Sequence, residues 1–253
     1  MRTKLVVGNW KMNSGIEETK TFFENLIENF SLQNINHLMQ VCICPPFTSL
    51  NTASQLLQNS TIALGAQDVS VNENGAFTGE VSISMLKELS CQFVIVGHSE
   101  RRMYFKETDS LINKKAIKIL EHKLTPIICV GETLEQREAD KTNEVIKEQI
   151  NGVIENMSKE DLLKIVIAYE PVWAIGTGKN ATSKQAEEVH LFIRKLLTIK
   201  SNINVSESIS ILYGGSVKPE NAKELSEQEN IDGFLVGGAS LKANSFISII
   251  QSF

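Results

Sequence analysis

Residues 124–170, LTPIICVGETLEQREADKTNEVIKEQINGVIENMSKEDLLKIVIAYE, contain the pattern that decides the fold. Two apolar runs, 124–130 and 163–170, flank a polar segment in which Thr133 and Gln136 form the capping box of a helix start. The apolar runs are continuous rather than alternating, which is typical of strands buried on both faces of a parallel sheet. The stretch therefore predicts a strand–helix–strand unit with parallel strands.

The same unit repeats along the whole chain. Six further apolar runs, separated by segments with helical spacing, bring the number of predicted strands to eight. They are 4–9, 38–44, 61–67, 91–97, 208–213 and 232–237. Eight such units in 253 residues favour a single α/β domain over 1–253, the (β/α)8 barrel, and a doubly wound open sheet is the alternative.

Helices are predicted from apolar stripes and from capping residues. Segments 16–30 and 107–122 carry apolar side chains at helical spacing, and a short helix is expected at about 81–89. The capping signals are Ser14 with Glu17, Thr182 with Gln185, and Pro219 as a first helical residue.

Composition and charge exclude several classes of protein. Hydrophobic residues make up 42% of the chain and charged residues 22%, which is ordinary for a folded globular protein. The net charge of −5 leaves no globally basic surface for nucleic acid. No apolar run approaches the roughly 18 residues of a membrane span. The first apolar run is short and is soon followed by Lys11, unlike a signal peptide, so a cytoplasmic protein is expected.

The four cysteines are Cys42, Cys44, Cys91 and Cys129. Their spacing matches neither a redox C-x-x-C motif nor a zinc site. Cys42 and Cys44 lie two residues apart in a predicted strand, so they share one face and are poorly placed to bridge. All four are expected to be reduced core residues, and no metal site is predicted.

Chemically versatile side chains follow several of the predicted strands. Asn9 and Lys11 follow the first strand, His98 and Glu100 follow the fourth, and Glu170 ends the sixth. In a barrel, the carboxyl ends of all strands meet on one face, where the active site forms. Each residue alone has an ordinary explanation as a turn, cap or solvated charge. Their joint placement predicts a base, an imidazole and a cation in one site.

Two glycine-rich turns follow the last two strands. They are Gly214-Gly215-Ser216 and Gly237-Gly238. Exposed backbone N–H groups after the seventh and eighth strands of a barrel are typical of a phosphate site. The residues thus predict an enzyme that performs acid–base chemistry on a small phosphorylated molecule.

These motifs resemble those of the triosephosphate isomerase family along the whole chain. The matching segments are GNWKMN (8–13), GAFTGE (75–80), VGHSERR (96–102), CVGET (129–133), AYEPVWAIGTGK (168–179), YGGSVKPENA (213–222) and FLVGGASL (234–241). The resemblance implies a TIM barrel and an aldose–ketose isomerase of glycolysis and gluconeogenesis. It would interconvert dihydroxyacetone phosphate and D-glyceraldehyde 3-phosphate through an enediolate, without a metal or organic cofactor.

The resemblance also assigns catalytic roles. Glu170 is the expected general base, and His98 is the expected electrophile, which acts as a neutral imidazole. Lys11 would offset the negative charge of the phosphate and of the enediolate, with Asn9 as a hydrogen-bond donor beside it. Glu100 would hold Lys11 in place.

Phosphate binding and lid closure are assigned in the same way. The expected phosphate ligands are Asn9, Lys11, Gly176, Ser216, Gly237 and Gly238. Segment 171–181 resembles the mobile lid that excludes water from the site. This enzyme family is a worked example of pKa tuning and loop closure in enzymology, so these roles come from the resemblance.

A long loop at 72–80 resembles the dimer loop of the family. It would insert into a partner subunit near residues 9–13, with contacts from Asn13, Phe77 and Thr78, and Thr78 would reach the neighbouring site. The expected partners are therefore a second copy of the chain and a phosphorylated triose, with no nucleic acid and no membrane. Two departures from the family pattern lie outside the expected chemistry. Gln67-Asp68 replaces a more usual Gln-Asn pair, and Ser90 stands where a glycine often ends the third helix, which weakens that helix cap.

Two alternative functions remain at this point. One is a different phosphate-binding barrel enzyme, such as another isomerase or an epimerase. The other is a catalytically silent barrel that serves as a binding or surface protein. The complete set of Lys11, His98 and Glu170 together with the lid sequence favours the isomerase over both.

Overall fold

The computed structural model describes residues 2–30, 39–175 and 181–253 as a closed barrel of eight parallel strands. Neighbouring strands follow the order of the chain, and β1 pairs with β8 to close the ring. The strands are β1 (Lys4–Asn9), β2 (Met39–Cys44), β3 (Ala63–Ala66), β4 (Cys91–Val96), β5 (Thr125–Val130), β6 (Val166–Tyr169), β7 (Ser210–Tyr213) and β8 (Gly233–Val236). The predicted (β/α)8 architecture is confirmed, and the open sheet is not formed.

Helices connect successive strands on the outside of the barrel. Within the described ranges they are α1 (Ile16–Asn29), α2 (Leu50–Leu56), α3 (Ile83–Glu88), α4 (Ser99–Tyr104), α5 (Asp109–Glu121), α6 (Leu134–Glu138), α7 (Thr142–Val153), α8 (Lys159–Leu162), α9 (Ser183–Lys200), α10 (Ile203–Ser206), α11 (Pro219–Ser226) and α12 (Ala243–Ile250). None of these helices has both the length and the apolar composition needed to cross a bilayer.

Seven of the eight apolar runs are longer than the strands that they form, and only the run 4–9 equals its strand, β1. Strand β6, for example, begins at Val166, although the run begins at residue 163. Ile165 precedes the strand and is nevertheless buried, because it packs in the apolar cluster between the strands and the helices. Apolar composition therefore identifies each strand but overestimates its length, since side chains just outside the hydrogen-bonded ladder are buried too.

The core is divided by the barrel wall into two parts. Side chains such as Leu5, Ile95 and Leu212 fill the inside of the barrel, and a larger cluster packs between the strands and the surrounding helices. All four cysteines are buried and free, as expected. Cys42 and Cys44 do share a face, with their sulfurs 3.9 Å apart inside the barrel.

The helix starts confirm two of the three capping boxes. The boxes at Thr133–Gln136 and Thr182–Gln185 form, and Pro219 is the first residue of α11. The prediction for Ser14 and Glu17 is wrong, because it places the helix start one residue too early. Ser14 adopts a left-handed conformation, with φ 69°, and does not cap the helix. Helix α1 instead begins after Gly15, whose N–H donates to the Glu18 carboxylate at 2.6 Å.

A buried ion cluster joins the first and last strands of the barrel. Asp232, which directly precedes β8, is fully buried and accepts hydrogen bonds from Arg2 at 2.7 Å and from Arg194 at 2.6 Å. The amide of Ile211 in β7 donates to the same carboxylate at 3.0 Å. The cluster thus connects the segment before β1, strand β7 and helix α9 at one carboxylate. Loss of one partner would leave an uncompensated buried charge, which is strongly destabilising.

Ser90 adopts the left-handed conformation at the end of α3, with φ 60°. A side chain with a Cβ is disfavoured there by about 1 kcal/mol, and glycine is not. We therefore expect Ser90→Gly to raise the free energy of unfolding by about 0.5–1 kcal/mol, measured by thermal or denaturant unfolding at one protein concentration. Ser90→Ala, which removes only the hydroxyl, is the control and should give no gain. Equal effects of the two substitutions would contradict the backbone explanation.

Candidate active site

The carboxyl ends of the strands open into a cavity of about 720 Å³. Most of the residues predicted for the site line this one cavity. They are Asn9, Lys11, Asn13, His98, Glu170, Ser216, Gly237 and Gly238. Glu100 reaches the site through Lys11, as described below, and Gly176 lies outside the described residues.

Glu170 directly follows β6 and is buried, with an exposed fraction of 2%. Its Oε2 accepts the backbone N–H of Ser99 at 2.9 Å, and its Oε1 lies 2.9 Å from Nε2 of His98. Burial by itself raises the pKa of Glu170, but His98, the Ser99 amide and the charge of Lys11 together bring the pKa below the ordinary value. These neighbours thus favour the ionised form of the buried carboxylate.

His98 is the residue that caps the amino end of α4. Its Nδ1 accepts the backbone N–H of Glu100 at 3.2 Å, so this ring nitrogen carries no proton. The proton of a neutral imidazole then resides on Nε2, which faces Glu170 and the cavity. Because the helix amide occupies Nδ1, the ring presents its Nε2–H as a donor to the site.

Lys11 supplies the cation of the site from an unusual backbone conformation. Its φ is 54°, and its Nζ lies 2.6 Å from Oε1 of Glu100. Two side-chain amides hold its peptide groups: Asn9 Oδ1 accepts the Lys11 N–H at 3.1 Å, and Gln67 Nε2 donates to the Lys11 carbonyl at 2.9 Å. The expected support of Lys11 by Glu100 is present in the geometry.

Backbone groups after β7 and β8 form the other end of the cavity. Gly237 precedes a short 3₁₀ helix, Gly238–Leu241, and Ser216 lies just before α11. A Cβ added at Gly238 would meet no atom within 4 Å, so packing does not explain the glycine. Its bare backbone faces open space in the cavity, which is the arrangement that a bound anion requires.

The start of the segment assigned as the lid is anchored by a buried carboxylate. Residues Val172–Ala174 form a 3₁₀ helix, and Trp173 Nε1 donates to Glu132 at 2.9 Å. Glu132 is fully buried and also accepts from Arg137 at 3.1 Å, and the Arg137 guanidinium lies 4.7 Å from the centre of the Trp173 ring. Residues 176–180 of the segment lie outside the described part of the chain.

The long loop at 72–80 presents its tip to solvent. Residues 74–80 are all exposed, including Phe77 at 46% and Thr78. Asn13 lies in the loop after β1 and donates to the carbonyl of Trp10 at 2.7 Å. Large apolar side chains are also exposed in the segments that follow β1, β2 and β4. They are Met12, Phe47, Met103, Tyr104 and Phe105.

Several residues that support the site were assigned no role in it from the sequence, and Gln67 had been placed outside the expected chemistry. Ser99 binds Glu170, Gln67 binds the backbone of Lys11, and Glu132 binds Trp173. Ser99 and Glu132 lie inside the matching segments 96–102 and 129–133, which was the available signal. Lys218 and Lys242 also line the cavity and add positive charge near its opening. In the described ranges, no three His, Cys, Asp or Glu side chains are grouped as metal ligands would be.

Comparisons with known proteins agree with this geometry. A model of the triosephosphate isomerase family matches residues 4–253. A triosephosphate isomerase from Herminiimonas arsenicoxydans is 52% identical over 252 residues, covering all of both chains. Proteins of the same name from Alkaliphilus metalliredigens and Dictyoglomus thermophilum are each 50% identical and cover at least 99% of both chains. The chain therefore belongs to the triosephosphate isomerase family, whose members interconvert dihydroxyacetone phosphate and D-glyceraldehyde 3-phosphate.

Proposed function

We propose that Glu170 is the base of this isomerase. It would move a proton from the hydroxymethyl carbon of dihydroxyacetone phosphate to the neighbouring carbonyl carbon. The carboxylate would remove a proton from the hydroxymethyl carbon of dihydroxyacetone phosphate, and the C–H electrons would form the double bond of an enediolate. The hydroxyl proton then passes from the oxygen of the first carbon to that of the former carbonyl, and return of the abstracted proton to the former carbonyl carbon gives D-glyceraldehyde 3-phosphate. The observation that carries this proposal is a buried carboxylate at the wall of the cavity, which lies 2.9 Å from both the Ser99 amide and the His98 ring.

His98 would stabilise the enediolate through its Nε2–H. In the structure this N–H faces Oε1 of Glu170, so a substrate oxygen must replace Oε1 when it binds. Glu170 then turns from His98 toward the substrate carbon, and its carboxylate loses two of the partners that lower its pKa. A carboxylate with fewer partners is a stronger base, which suits proton removal from carbon.

Lys11 and the glycine turns would hold the phosphate and balance its charge. The Lys11 ammonium lines the cavity together with Asn9, and Ser216, Gly237 and Gly238 line the opposite end. We assign the phosphate to the backbone N–H groups at that end and to one further donor, the backbone N–H of Gly176. Charge-assisted hydrogen bonds to these groups position the substrate without a globally basic surface.

Segment 171–181 would act as the lid and the 72–80 loop as the dimer contact. The hydrogen bond from Trp173 to Glu132 fixes the start of the lid, and Ile175 lines the cavity. The exposed Phe77 suits insertion into a second copy, with Asn13 and Thr78 at the same interface. Buried free thiols and a glycolytic substrate support a cytoplasmic location.

Replacing the base tests the central role. Glu170→Gln keeps the shape of the side chain and removes its basicity, so we expect kcat to fall by roughly 10²–10⁴-fold with little change in KM. A coupled assay with each triose phosphate measures both constants. Glu160→Gln, at an exposed position on α8, is the control and should match the wild type. Turnover of Glu170→Gln within a few-fold of the wild type would remove Glu170 from the base role.

Chelation tests the absence of a catalytic metal. We expect full activity after dialysis against EDTA, because His98 and Lys11 supply the charge stabilisation that a metal would otherwise provide. The measurement is the coupled assay before and after chelation, followed by addition of Mg²⁺ or Zn²⁺. A loss of activity that an added metal restores would contradict this assignment.

Removing the loop tests the proposed dimer. Deletion of residues 74–79 should give a monomer with poor activity, measured by light scattering after size exclusion and by the coupled assay. Phe77→Asp tests the same contact without shortening the chain. Leu163→Asp is its control, since Leu163 is equally exposed, at 49%, but lies at the opposite end of the barrel. A fully active dimer of the deletion variant would overturn the interface assignment.

A further inference from the structure

Gln149, on α7, makes two hydrogen bonds to a single residue beside the catalytic carboxylate. Its Oε1 accepts the N–H of Gly131 at 2.8 Å, and its Nε2 donates to the carbonyl of Gly131 at 3.0 Å. A primary amide carries a donor and an acceptor side by side, so it can pair with both polar groups of one residue as a neighbouring strand would.

Gly131 needs such a partner because it lies past the end of the sheet on one side. Val130 and Glu132 direct their carbonyls toward the chain that follows β6, where they accept the N–H groups of Glu170 at 2.8 Å and Val172 at 3.1 Å. The polar groups of Gly131, between them, point the other way, toward β4. The last paired residues of β4 and β5 are Val96 and Ile128. Gln149 thus replaces the strand that is missing there.

The clamped residue is in direct contact with the backbone of Glu170. A Cβ added at Gly131 would lie only 1.7 Å from the carbonyl oxygen of Glu170 and 2.7 Å from its carbonyl carbon. On the opposite side, a Cβ at Gly214 would lie 3.0 Å from Cγ of Glu170, and Gly214 is fixed by its N–H bond to the Tyr169 carbonyl at 2.7 Å. The Glu170 peptide is therefore enclosed by two glycines, one held by strand pairing and the other by Gln149.

We propose that Gln149 is a positioning residue for the reaction, which sets the place of the Glu170 backbone by clamping Gly131. Gln149 touches neither the substrate cavity nor the Glu170 carboxylate in the described contacts. It acts through Gly131 alone, and this inference rests on the proposed role of Glu170 as the base. Because proton transfer is sensitive to displacements of the base of about 1 Å, loosening the clamp should slow the chemical step.

Two substitutions remove the clamp in different ways. Gln149→Met keeps the length of the side chain and loses both hydrogen bonds. Gln149→Glu keeps an acceptor for the Gly131 N–H but sets a second carboxylate oxygen against the Gly131 carbonyl, and it covers the case in which the Met variant fails to fold. We expect each to lower kcat by about 10- to 100-fold with KM within about twofold of the wild type. Glu148→Met, one residue earlier on the exposed face of α7, is the control and should leave both constants unchanged.

A double-mutant cycle separates positioning from a general loss of structure. In the Glu170→Gln background, Gln149→Met should cost less than about twofold, because there is no base left to position. A Gln149→Met enzyme that behaves like Glu148→Met, or a loss that persists in full in the Glu170→Gln background, would overturn the proposal. Near wild-type turnover of Glu170→Gln alone would instead refute the base role, and the positioning role with it. An inactive Glu170→Gln beside an unaffected Gln149→Met would refute only the clamp.

Discussion

The rest of the site depends on one constraint, which is that the carboxylate of Glu170 must stay ionised while it is buried. An isolated buried carboxylate is strongly disfavoured, so donors must be built around it. The Ser99 amide and the His98 imidazole provide them, and both come from the start of α4 just after β4. Their distance from Glu170 is set by the spacing of β4, β5 and β6 in the barrel wall. The barrel wall thus fixes the distance between the acceptor, which follows β6, and its donors, which follow β4.

Net charge says little about which ligands such a barrel binds. The chain carries a net charge of −5, yet its family acts on a phosphorylated triose. Lys11, Lys218 and Lys242 line the cavity, and the backbone at Gly238, after β8, is bare there. Interactions over a few ångströms in a partly closed cavity outweigh surface charges that salt screens beyond about 10 Å. The charge that matters is local, and the carboxyl ends of the strands concentrate it.

The sequence predicted the parts of the structure that depend on local pattern. Eight apolar runs became eight strands because each run is buried wherever it pairs, and the residues at their carboxyl ends met in one cavity because parallel strands share that end. The start of α1 was misjudged, since Ser14 with Glu17 offers the full capping-box signal, whereas Gly15 with Glu18 forms only the half in which the glutamate accepts a backbone N–H. Ser99, Glu132 and Gln149 were missed for a different reason. Each acts on a group 18 to 71 residues away, and no local pattern encodes such a pairing.

Two residues with left-handed backbone conformation, Lys11 and Ser90, differ in what that conformation contributes to the protein. Lys11 and Ser90 have similar φ angles, 54° and 60°, and neither is a glycine. At Lys11 the strained peptide is held from both sides by the amides of Asn9 and Gln67, as Gln149 holds Gly131. Ser90 has no side-chain hydrogen bond among the described contacts, and its conformation is simply a cost to the end of α3. The difference fits the proposed roles, because the backbone position of Lys11 sets where its ammonium lies in the cavity, whereas Ser90 lies outside the site.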